Sequence, residues 1–221
     1  MGARDARDTV TVLRGEQELY QRVGHLLAAA TDFACAANDL ATWVADQRMD
    51  EFTAAMARRA GDMRVRKIYR AGLLLDVISA RELAEHRDRF GARIRITTDE
   101  LNETIVIDGR VAILAGDRSS GVRSYSVISQ PDTVHAVLAL FETAWRSATE
   151  LAVYDARVAE IRALAPAVLD LLSQGTKDEA AARALGLGVR TYRRRVAELM
   201  SALGAESRFQ AGVRARELGL V

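Results

Sequence analysis

Four segments that stop at glycine constrain this chain more than any other feature. Beyond Pro166, AVLDLLSQG, TKDEAAARALG, LGVRTYRRRVAELMSALG and ESRFQAGVRARELG each carry apolar residues at helical spacing and stop at Gly175, Gly186, Gly204 and Gly219. A glycine just past an apolar-periodic run closes a helix, because it enters the left-handed backbone region with no Cβ in the way. The region is therefore expected to be all-α, with four short helices. Within it, an Ala-rich helix ends at Gly186, two residues turn the chain and a second helix begins near Val189. That is a helix-turn-helix layout.

At about 100° per residue, Tyr192, Val196, Leu199 and Leu203 fall on one stripe of the second helix. They are expected to pack against Leu171, Leu172, Ala181 and Leu185. Arg190, Arg193, Arg194 and Ala197 point the other way. An exposed face of arginine and small residues is what a major groove admits, with side chains reaching phosphates or guanine edges. Arg195 lies at the border of the stripe, where a phosphate contact suits it better than base readout. Charge agrees: the whole chain has 31 Lys+Arg against 30 Asp+Glu, yet residues 157–221 hold 11 against 7, net +4. The excess sits where phosphates would be met.

The run from Leu171 to Leu220 resembles the LuxR-type DNA-binding domain, a four-helix module of bacterial transcription factors. The likeness is carried by Gln174-Gly175, Ala182 with Leu185-Gly186, Arg190-Thr191, Val196, Leu199, Leu203-Gly204, Ser207-Arg208 and the closing Ala215-Arg216-Glu217-Leu218-Gly219. The resemblance implies a recognition helix over 188–202, a last helix over 206–218 used for dimerisation in many members, and a homodimer on double-stranded DNA. The candidate DNA-contacting residues are Lys177, Arg190, Thr191, Arg193, Arg194 and Arg195. The chain departs from the family at three places. It has IRALAPAVLDLL where members have a threonine-proline and acidic helix start, Gly188 at the usual N-cap serine, and Arg194 and Arg195 in place of polar and histidine residues. Base specificity does not transfer, and a large phosphate share with steep salt dependence is expected.

The first 150 residues read differently. An amphipathic helix is expected from Glu16 to Ala30, a strand over 31–38, a helix with Phe52, Met56 and Arg59 on one face closed by Gly61, and a strand in MRVRKIYRA. SARELAEHRDRFG reads as a helix with Ser79 as N-cap, Glu82 completing a capping box and Gly91 as the stop. Strands ARIRITT, ETIVID, GRVAILAG and SYSVISQ follow, with Asp108-Gly109 as a hairpin turn and GDRSSG as a loop. A mixed α/β sheet covered by helices is expected. Pro131 opens a helical period that runs through Val158 and Ile161 without a turn signal, predicting a continuous connector.

The order of these elements resembles the phospholipase D-like fold found as a sensor domain in TrmB-type regulators. Enzymes of that superfamily need an H-x-K motif, and none of His25, His86 and His135 is followed two residues later by lysine. No catalytic residue is assigned. The chain is expected not to be an enzyme; a degenerate phosphodiesterase holding nucleic acid with its basic tail is the alternative. Three dispersed histidines and one cysteine offer no metal-ligand spacing, and no cofactor is expected. Cys35 reads as a small buried residue and Trp145, with Phe141 and Leu138, as core. The segmentation predicted is a flexible tail at 1–14, a sensor and dimerisation domain at 15–150, a helical connector at 151–165 and the DNA-binding domain at 166–221. A small-molecule effector or protein partner is expected at the N-terminal domain. With no apolar leader and no membrane-spanning run, a cytoplasmic protein is expected.

Overall fold

The structure is a computed structural model that describes residues 10–38, 40, 62–116 and 121–221. The expected helix around Phe52, Met56 and Arg59 with its stop at Gly61, most of the GDRSSG loop and the first nine residues of the expected tail lie outside the described residues. By contact density the chain divides into two units, one of residues 1–68, 86–95 and 101–148 and one of residues 69–85, 96–100 and 149–221.

The first unit is built on a mixed sheet. Its strands are β1 (Val10–Arg14), β2 (Asp32–Ala37), β3 (Arg64–Arg70), β4 (Arg93–Thr97), β5 (Thr104–Ile107), β6 (Val111–Ala115) and β7 (Ser124–Ile128), the last two residues of β3 and of β4 belonging to the second unit. The order is β1-β7-β6-β5-β2-β3-β4, followed by β8 (Thr149–Glu150). Pairing is antiparallel for β1 with β7, β7 with β6, β6 with β5 and β5 with β2. The β5–β6 hairpin turns at Asp108-Gly109, as the sequence predicts. The register Ile107 opposite Val111 leaves three loop residues. Arg110 N donates to the Ile107 carbonyl at 2.9 Å across Asp108 and Gly109, both at positive φ, 50° and 61°, the backbone signature of a primed turn, whose twist matches that of the strands. Asp108 tolerates it because its Oδ1 accepts hydrogen bonds from Thr31 N, Thr31 Oγ1 and Asp32 N at 2.8–2.9 Å.

Residues 10–14, expected to belong to a flexible tail, instead form β1, with Val12 opposite Ser126 and Leu13 opposite Tyr125. The alternation TVTVL has strand period, but only Leu13 of the strand is buried. Such a short edge strand is decided by the neighbour that accepts it rather than by its own apolar content. Helix α1 (Gly15–Ala29) follows and buries Leu19, Val23 and Leu27. Helix α2 (Val77–Phe90) starts two residues before the expected Ser79 cap. Asp76 Oδ2 accepts from Ser79 N and Ser79 Oγ, both at 2.8 Å. The cap is therefore Asp76, since a carboxylate competes better than a hydroxyl for free amide N–H groups next to the positive end of the helix dipole.

Helix α3 (Pro131–Ser147) begins with proline in its first turn, capped by the Gln130 side chain on Thr133 N. Its Phe141 and Trp145 join Ala34, Ala36, Ile68, Val106, Ala112, Ile128 and Val134 in one apolar cluster. Against this cluster lies Arg66, whose guanidinium sits 5.4 Å from the Phe141 ring centroid and pairs with Glu142. Stacking and pairing together explain how an arginine is accommodated in strand β3. Burial pushes the Cys35 thiol up to about 12, against the opposing pull of Lys67.

The expected continuous connector is broken. Helix α3 ends at Ser147, Ala148 and Glu150 are extended with ψ 147° and 140°, and Thr149–Glu150 form a short strand, β8, before α4 (Leu151–Ser173). The apolar period passes across the break because Ala148 and Leu151 are both buried; period alone cannot register a three-residue change of backbone direction. Helix α4 then runs through Pro166 without ending. The domain boundary expected at residue 166 thus falls inside a helix. Proline removes one backbone hydrogen bond, but the buried stripe Val158, Ile161, Ala165, Val168 and Leu169 continues on both sides.

Candidate nucleic-acid interface

In the second unit the end of α4 is followed by α5 (Asp178–Ala184), α6 (Val189–Ala202) and α7 (Arg208–Glu217). All four helices end in the same way. The amides of Gly175, Gly186, Gly204 and Gly219 bond to carbonyls three residues back, and the next residue of each bonds five residues back, to Leu171, Ala182, Met200 and Ala215. This is the Schellman closure, and each of the four glycines has φ near +65°. It releases the chain in a fixed direction, so the α5–α6 turn is set by Gly186 and ends at Gly188, the N-cap of α6.

The faces of α6 separate as the spacing predicts. Tyr192, Val196, Leu199 and Leu203 are buried, as is Ala181 of α5. Leu171, Leu172 and Leu185 are half-buried. Arg190, Arg193, Arg194 and Ala197 are exposed, as is Lys177 at the start of α5, and Thr191 is half-buried beside them. Burial raises the Tyr192 hydroxyl above its ordinary pKa.

The arginines differ in what holds them. Arg193 Nε donates to Asp178 Oδ2 at 2.7 Å, and the other oxygen, Oδ1, lies 2.9 Å from Arg208 Nη2. The hydrogen bond from Arg193 holds the Asp178 carboxyl below the usual carboxylate range, and Asp178 in turn raises Arg193. Arg194 Nε is 3.6 Å from Glu198 Oε1, a loose exposed pair. Arg195 pairs with Glu160 of α4 and, at 2.8 Å, with Glu198. Its guanidinium is largely buried, so Arg195 ties α6 to α4. Arg190 has no ion-pair partner among the described residues. Sequence reasoning named the arginines, Arg208 among them as part of the family likeness, and missed their partners Asp178 and Glu160. Only Glu198, three and four residues from Arg195 and Arg194, carried a local signal.

No family model matches this chain. It is 32% identical over 149 residues to the bialaphos biosynthetic pathway regulatory protein of Streptomyces hygroscopicus, an alignment covering 67% of this chain and 58% of that protein. The chain thus spans less than two thirds of that relative. Among solved structures, the archaeal chromatin protein TrmBL2 overlaps with TM-score 0.49 and 14% identity, covering 66% of this chain and 56% of that one. Nuc, a phospholipase D family member from Salmonella typhimurium, overlaps with TM-score 0.49 and 14% identity over 64% of this chain and 97% of that one. At this level the overlaps say nothing of sites or activity. Among the described residues no helix is long and apolar enough to cross a membrane.

Proposed function

We propose that this chain is a DNA-binding transcriptional regulator whose α5–turn–α6 segment is a helix-turn-helix of LuxR type. The observation that carries the reading is the exposed face of α6, with Arg190, Arg193 and Arg194 standing opposite a fully buried stripe. A helix of this kind presents cations to a groove while its other side is anchored. The likeness to a regulatory protein points the same way. In this reading α6 lies in the major groove with Lys177, Arg190, Thr191, Arg193 and Arg194 at the DNA, and Arg195 holds the helix on its scaffold. The chain acts as a homodimer on a palindrome, with α7 at the dimer contact, and the first unit is a non-enzymatic, phospholipase D-like sensor for a small molecule or protein partner.

Selection of bound fragments from random DNA by the 221-residue chain, at near-physiological salt, tests this. A palindrome with half-sites about one helical turn apart is expected. Absence of any enriched motif from folded protein overturns the reading. Binding should weaken steeply with salt, since each phosphate contact contributes about 0.9 to the logarithmic slope.

A further inference from the structure

Among the described residues, Arg193 is the one exposed arginine of α6 that a carboxylate from another helix fixes. Asp178, the first residue of α5, lies beneath it: the Asp178 side chain is 15% exposed and that of Arg193 61%. Nε of Arg193 is committed to Oδ2 at 2.7 Å. A guanidinium can offer a guanine two N–H groups along one of two edges, Nε with Nη or the two Nη groups together. Asp178 occupies the first edge. The second remains, and among the described residues the exposed Glu179 carboxylate is the ion-pair partner near it, 4.0 Å from Nη2. Arg208 covers the other oxygen of Asp178 at 2.9 Å, so the carboxylate is flanked by two cations and the group of three keeps a net positive charge.

We propose that Asp178 is the positioning residue for base discrimination, holding Arg193 so that its two Nη groups face a guanine O6 and N7, while Arg190 and Arg194 contact phosphates. This rests on the DNA-binding reading above. The physical basis is preorganisation. A free arginine samples many rotamers and takes whichever acceptor is nearest, phosphate included, whereas an arginine anchored through Nε can satisfy both Nη groups only with two acceptors in one plane. Phosphate contacts carry no sequence information, so the anchored residue is the one that reads.

The experiment compares the wild-type chain with Asp178→Ala, Asp178→Asn, Arg193→Ala and the Asp178→Ala/Arg193→Ala double variant on the selected site and on its single-base variants. Wild type is expected to prefer guanine at least about tenfold at one position of each half-site. Asp178→Ala should lower that ratio about fivefold or more at that position only. Affinity for unrelated DNA should hold or rise, because a negative charge is removed. Asp178→Asn, which keeps an acceptor oxygen and the side-chain shape, should lose a smaller part, about threefold, and is the variant read if Asp178→Ala does not fold. The double variant should discriminate no worse than Arg193→Ala. Equal weakening at every position, as a purely structural role would give, or an unchanged ratio in both Asp178 variants overturns the proposal. A wild type that selects no motif overturns the DNA-binding reading itself, whereas a clear motif that the Asp178 variants read normally overturns this inference alone.

Discussion

Two carboxylate–arginine sites, one in each unit, are built from the same chemistry to opposite ends. In the first unit Glu103 pairs with Arg123, and their side chains are 7% and 8% exposed. Glu103 also accepts from Asn38 N at 3.1 Å, and Arg123 Nε donates to the Gly116 carbonyl at 2.8 Å. These contacts are made within the protein, with both side chains out of solvent. In the second unit Asp178 is covered, but the arginines it holds are about half open to solvent. A buried pair fixes architecture, and its attraction offsets a large desolvation cost. A pair with a buried acid and an exposed base can exchange or share its base with an incoming anion, because the base has not been dehydrated.

The contrast breaks most sharply at Glu103. Glu103→Ala leaves a buried guanidinium without its counter-charge and should cost about 3–5 kcal/mol in urea unfolding, while Glu103→Leu with Arg123→Met should recover much of it. Next come the glycines that frame α6. A Cβ on Gly204 would stand 2.7 Å from the Thr98 carbonyl oxygen at φ +64°, whereas at Gly186 nothing lies within 4 Å at φ +65°. Gly186→Ala should cost about 1–2 kcal/mol from backbone strain alone, and Gly204→Ala about 2–4 kcal/mol because overpacking adds to that strain.

At the exposed site the effect moves from stability to binding. Arg194→Ala should leave the unfolding free energy within about 0.5 kcal/mol. It should weaken binding to all DNA sequences alike and lower the logarithmic salt slope by about 1 in a titration series. The smallest effect is acid sensitivity. The folded-state pKa of Asp178 is depressed, first by the hydrogen bond from Arg193 and then by Arg208, against burial. Its contribution is therefore complete above the unfolded value of about 3.9 and is lost as pH falls through the depressed folded value. Asp178→Asn should flatten that part of the stability curve below about pH 4, read by denaturant midpoints. A curve that kept its slope would place the acid sensitivity elsewhere.

The parts of the site legible in the sequence are those that depend on neighbours within one helical turn. The Schellman glycines, the buried stripe Tyr192–Val196–Leu199–Leu203 and the exposed Arg190, Arg193 and Arg194 follow from spacing. So do the Asp108-Gly109 turn and the proline that opens α3. The errors share a different feature. Strand β1 depended on β7, more than a hundred residues away. The Asp76 cap was hidden by a better-looking Ser79 three positions on, and the break at Ala148–Glu150 left the apolar period undisturbed.

By itself, then, the sequence determined where helices stop, which faces turn inward and where positive charge collects, because backbone conformation and apolar period act over a few residues. Apart from pairs within one helical turn, such as those of Glu198 with Arg194 and Arg195, tertiary structure alone decided which acid meets which arginine. Asp178 and Arg193 are 15 positions apart, Glu103 and Arg123 are 20, and Glu160 and Arg195 are 35. An ion pair depends on where folding places two charged groups and how much water it removes, and neither quantity is written in the spacing of the residues along the chain.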